Sequence, residues 1–113
     1  MLHRVARMPD PHTTDGARLL PWTGDGGKPC YLVGDGEGYV SRVADNVESV
    51  QLGMAVDLLG HVEDLLGDRS ATPEQLRYVV ARLAESLREV HRVARSRGAR
   101  LATVAVRAEH PGQ

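Results

Sequence analysis

From Val40 onward apolar residues recur in steps of three and four. Val40, Val43, Ala44, Val47, Val50, Met54, Leu58, Val62 and Leu65 trace one stripe of an amphipathic helix, and Gly67 ends it. The spacing predicts a helix over 40–67, capped by Asp45 with Glu48 three residues on, or begun earlier at Ser41. A turn over Asp68–Ala71 follows. Thr72-Pro73-Glu74-Gln75 then gives a sharper start: a capping residue, Pro at the first helical position and Gln at the capping-box position. Leu76, Val80, Leu83, Leu87, Val90 and Ala94 carry the next apolar seam, predicting a second helix over 73–97. Gly98 is placed to end it, with Arg92, Arg95 and Arg97 complementing the dipole. Two helices joined by a short turn predict an antiparallel hairpin, in which residue i faces about 140 − i.

Upstream the period changes. Arg18–Trp22 and Lys28–Val33 are short apolar runs separated by Thr23-Gly24-Asp25-Gly26-Gly27, which predicts a β-hairpin over 18–38. Pro21 and Pro29 each lack a ladder donor, which places both strands at an edge. Residues 1–17 mix Pro, His, Thr and Gly without a period and read as a flexible arm. The 99–113 segment, containing Leu101–Arg107, reads as a tail or a short strand. The fold class is mostly α (α+β), with 18–113 as a single domain.

Composition adds a reason to expect assembly. Phe is absent and aromatics are 4% of the 113 residues, so Leu, Val, Ala and Met must build the core. Leu52, Leu59 and Leu66 form a second apolar row that one partner helix cannot cover. A homodimer with a four-helix arrangement is expected, with Leu52, Leu59, Leu66, Met54, Leu83 and Leu87 as its core and dimer residues. Gly53, Gly60 and Gly67 recur every seven residues on the polar side of the first helix. Gln51, on the apolar face, is expected to pair with His91 across the hairpin, a buried polar contact that would fix register.

The glycine-rich run Leu20–Tyr39 holds the chain's only Trp, Lys and Cys, so it is where chemistry has to be sought. A phosphate-binding loop fails, because Trp22 stands where the first Gly belongs and Pro29 where Ser or Thr must hold Mg²⁺. Gly34–Gly38 has the wrong glycine spacing for a dinucleotide turn, and Asp35 and Glu37 would repel a pyrophosphate. Cys30 has no nearby His and reads as a small packed thiol. Asp57, His61 and Asp64 share a helical edge but lack a fourth ligand and read as a solvated face. No catalytic, cofactor or metal site is expected.

Charge brings in the partner. A net charge of −1 gives no general case for nucleic acid, and no apolar run approaches the roughly 20 residues that span a bilayer. A lone Cys and the lack of a secretory apolar segment fit a soluble cytoplasmic protein. The first helix is acidic and the second basic. Arg88, Arg92 and Arg95, at i, i+4 and i+7, line one edge suited to carboxylate or phosphate. They are the expected partner-binding residues, for a protein partner, a transcriptional regulator being one such. A DNA-associated accessory role for the basic helix is the alternative; a small-ligand sensor at Trp22, Cys30 and Tyr31 is another.

The stretches "PWTGDGGKPCYL", "GYVSRVADNVESVQLGM" and "ESLREVHRVARSRGARL" resemble a group of small actinobacterial proteins. That resemblance spans roughly Pro21–Leu101. It implies a setting near regulatory genes, such as helix-turn-helix regulators and anti-sigma-type ATPases. It implies no activity and no catalytic residues.

Overall fold

The computed structural model describes residues 4–6, 17–34 and 38–109, with side chains except at 4–6 and 105–109. Three strands precede two helices: β1 (Arg4–Ala6), β2 (Arg18–Thr23), β3 (Pro29–Val33), α1 (Tyr39–Leu66) and α2 (Pro73–Glu109). The sheet is antiparallel with order β1-β3-β2.

The β2–β3 hairpin forms where the apolar runs place it. A single 3-10 turn over Asp25–Gly27 joins the strands, with Gly26 at φ 68° and Gly27 at φ 76°. That left-handed geometry strains a side chain but not glycine. Gly24 N–H donates to the Lys28 carbonyl at 2.7 Å and closes the turn.

Two expectations about this end are corrected. Part of the expected arm is a strand, since Arg4, Val5 and Ala6 pair with Val33, Leu32 and Tyr31; residues 1–3 and 7–16 lie outside the described ones. With β1 on its far side, β3 is the central strand. Pro29 is tolerated there because it opens the strand, and Pro21 because β2 breaks register between Leu19 and Thr23.

α1 starts one residue before the predicted boundary, after Gly38, and no side chain caps it. The expected caps, Ser41, Asp45 and Glu48, are engaged elsewhere. Asp35 and Glu37 of the glycine run fall outside the described residues. The second start is a capping box: Gln75 N–H donates to Thr72 Oγ1 at 3.1 Å and Thr72 N–H to Gln75 Oε1 at 2.8 Å. α2 then runs through Gly98 to Glu109, so 99–109 is helix rather than tail or strand. One interior Gly costs about 1 kcal/mol, little for a helix already nucleated over several turns. Residues 110–113 lie outside the described ones. Among the described residues no helix is long and apolar enough to cross a membrane.

The helices pack antiparallel. Glu48 meets Arg97, and Gln51 and Arg92 reach the same Pro21 carbonyl, so residue i faces 143 to 145 − i. The covered row of α1 is Ser41, Ala44, Glu48, Gln51, Ala55, Leu58, Val62 and Leu65, an unbroken three-four alternation. The sheet lies over the first turns of α1 and the later turns of α2. Leu20, Cys30, Leu32 and Ala44 form its buried core, with Trp22 and Val40 against it.

Candidate interaction surface

At the sheet end a charged group sits in the packed interior. Glu48, 1% exposed, lies on the covered row of α1. Its Oε1 stands 3.4 Å from Arg97 Nε and 3.5 Å from Arg100 Nη2, and its Oε2 3.3 Å from Arg18 Nη2. Arg18, 7% exposed at the head of β2, also donates to Ser41 Oγ at 2.6 Å, the Ser41 carbonyl at 3.2 Å and Asp45 Oδ1 at 2.7 Å. A buried carboxylate needs such company, because desolvation is repaid only where several donors converge. Burial, and after it the neighbouring Arg18, pull the Arg100 guanidinium below its ordinary pKa.

The same helices hold the backbone of β2. Ser96 Oγ donates to the Leu19 carbonyl at 2.8 Å and accepts from Arg100. Gln51 Nε2 and Arg92 Nη1 donate to the Pro21 carbonyl at 3.0 and 3.3 Å. The expected Gln51–His91 pair is therefore not formed. His91 is exposed, because it stands two residues from the covered Glu89 and Val93 and so on the far side of α2. Gln51 Oε1 is buried without a hydrogen-bond partner.

These bonds turn α2 about its axis. Its covered row is Val79, Arg82, Ser86, Glu89, Val93, Ser96 and Arg100, not the predicted apolar seam. Ser96, Arg92, Arg97 and Arg100 must face β2 and Glu48, and the seam rotates outward as a result. Leu83 and Val90 stay half-buried, whereas Leu76, Val80, Leu87 and Ala94 are exposed.

On α1, Leu52 is half-buried, and Val56, Leu59 and Leu66 are exposed. Both exposed rows lie roughly 90° past the covered row in the direction of increasing residue number. In an antiparallel pair that places them on one side of the hairpin. Leu66 is 79% exposed and Leu87 69%. The result is an apolar face shared by the two helices, interrupted by Glu63 on α1 and Arg97 on α2. Met54 is also exposed but lies toward the opposite side, where it lines a cleft.

That cleft, about 590 Å³, opens between the end of β2 and both helices and is lined by Trp22, Gln51, Met54, Arg88 and Arg92 among others. Cys30 and Tyr31 do not line it; Cys30 is in the core. No match to the chain is found among family models, curated proteins or solved structures. Of the expected arginine edge, Arg88 and Arg95 are exposed, while Arg92 is half-buried and bound to Pro21. Asp57, His61 and Asp64 are all exposed, and among the described residues no three His, Cys, Asp or Glu side chains are placed to hold a metal. Gly53 and Gly60 have open space where a Cβ would stand.

The Arg18–Glu48 centre is what reading the sequence missed. One signal was present: Glu48, with Gln51 after it, interrupts a three-four row of otherwise small or apolar residues, and a carboxylate in such a row demands a cation.

Proposed function

We propose that the protein is a non-catalytic interaction module, acting as a homodimer in a regulatory setting. The observation that carries this reading is the apolar face shared by the two helices, left bare within one copy. Soluble monomers rarely expose a contiguous apolar strip of this length unless something binds it. Light scattering coupled to size exclusion tests the reading: two copies are expected at micromolar concentration, and one copy throughout that range overturns it.

The protein partner of that dimer is proposed to be acidic and to dock on Arg88 and Arg95. Both are exposed and, among the described residues, in no ion pair. Arg88→Glu with Arg95→Glu should keep helical content and mass while losing capture of that partner. Duplex DNA should show no retardation at physiological salt; tight binding that falls steeply with salt would support the DNA-associated alternative. The small-ligand reading is weaker, because Trp22 borders the cleft without Cys30 or Tyr31. A cytoplasmic setting belongs to the same proposal, since the one cysteine is packed in the core.

A further inference from the structure

Resting on the homodimer reading above, we infer how the two copies meet. They pack through the bare apolar face about a two-fold axis parallel to the helices, so that α1 of each copy lies over α2 of the other. Both turns then stand at the same end.

Three observations lead there. The first is spacing. The exposed row of α2 keeps its three-four alternation from Leu76 to Ala94 and resumes at Leu101 and Val104, both exposed, with Arg97 the one break. The α1 row alternates likewise through Leu52, Val56 and Leu59 and, past a break at Glu63, ends at Leu66; toward the sheet end its positions are Arg42, Asp45 and Ser49. A sustained 3.5-residue repeat keeps an apolar row aimed at another helix along its whole length, which an irregular partner does not require. The face therefore fits helices.

The second is area. The exposed side chains of this face, from Val56 at 67% to Val104 at 60%, amount to about five fully exposed aliphatic residues. That is on the order of 800 Å² per copy, what each partner brings to a standard stable interface. A second copy supplies a matching apolar face over the stretch between the turn and Leu52 of α1, which lies level with Arg92–Ala94 of α2.

The third is charge, and it chooses between the two ways of placing such faces together. α1 carries five acids against Arg42; α2 carries eight Arg against four Glu. A two-fold axis across the helices would stack α1 on α1 and α2 on α2, acid on acid and base on base. The axis along the helices instead gives each α1 two α2 neighbours, its own and the partner's. Every adjacent pair is then antiparallel and of opposite charge, favourable for both side chains and dipoles. The sheet is no obstacle, because Gln51, Arg92 and Ser96 hold β2 away from this face.

Spin labels on the turn test the arrangement. Arg69→Cys on a Cys30→Ala background gives one label per chain at an exposed site. The inference expects a dimer with the two labels within roughly 25 Å, about two helix diameters. Labels roughly 40 Å or more apart, the length of α1, mean that like helices stack, and overturn it. Leu87→Glu is the second arm. The position is exposed within one copy, so helical content should persist while the mass falls to one copy. A dimer that survives Leu87→Glu also overturns the arrangement and leaves the homodimer reading standing. An unsubstituted chain that runs as one copy removes that reading itself, and this one with it.

Discussion

The two ends of the helical hairpin share helices and spacing yet differ in how they are filled. At the sheet end, Leu19, Leu20, Cys30, Leu32 and Ala44 are buried, and a carboxylate is enclosed by three guanidinium groups. At the turn end Val79 is the buried apolar residue, and Leu58, Val62 and Leu65 are half-covered. The sheet supplies a third layer at one end; nothing among the described residues does so at the other. A fully buried Leu contributes about 1.5–3 kcal/mol, and the turn end leaves most of that unrealised within one copy. Helix pairing alone does not complete a core in this chain.

The largest effect should come from breaking the filled end. Glu48→Ala removes the anion that Arg18, Arg97 and Arg100 surround and leaves a buried guanidinium short of a partner. A loss of about 3–5 kcal/mol is expected, read by chemical denaturation; a loss below about 1 kcal/mol would mean the cluster is well solvated. Next comes the bare end. Leu59→Ala and Leu87→Ala should each lower stability by about 2 kcal/mol if a second copy covers them. Changes within about 0.5 kcal/mol, as for ordinary surface sites, would show the face uncovered in solution.

Cys30→Ser returns to the filled end, setting a hydroxyl among Leu20, Leu32 and Ala44. About 1–2 kcal/mol should be lost with partner capture unchanged, and a folded variant that no longer binds its partner would contradict a purely structural thiol. Thr72→Ala opens the capping box at the head of α2 and should cost about 1 kcal/mol, seen as a lower thermal midpoint.

The smallest effect lies in the turn. Ser70 donates to Asp68 through its hydroxyl at 2.6 Å and its N–H at 2.9 Å, and these bonds lower the Asp68 pKa below its ordinary 3.8. A carboxyl with a depressed folded pKa lends stability that is present above pH 3.8 and lost as pH falls through the depressed value. Asp68→Asn should therefore narrow its stability gap to the unsubstituted protein in that acid range. A gap constant down through the range would show that the turn bonds do not discriminate ionised from neutral Asp68.

What the sequence made legible follows from how local each cause is. The Thr72–Gln75 box, the Gly26–Gly27 turn and the turn end of the covered row of α1 (Leu58, Val62 and Leu65) are fixed by residues within a few positions of one another. Val50 and Met54 of the predicted stripe are instead exposed, and Ser41, Glu48 and Ala55 take the covered positions. The orientation of α2 was not legible, because apolar periodicity marks where a helix prefers cover but not which cover wins. Here Ser96 and Arg92 are claimed by β2 carbonyls more than seventy residues away. Glu48 looked like a capping partner because its true partner, Arg18, precedes it by thirty residues. β1 is three residues long, too short for alternation to register.

The hold of the helices on β2 has a consequence for solubility. An outer strand ordinarily presents bare carbonyls on which another chain can crystallise a further strand, the first step toward fibrils. Here Ser96 has taken the Leu19 carbonyl, Gln51 and Arg92 have taken that of Pro21, and Pro21 has no N–H to offer. That flank of the sheet is closed to strand addition. Whatever the bare aliphatic surface of the helices attracts, the β2 flank of the sheet adds no strand to it.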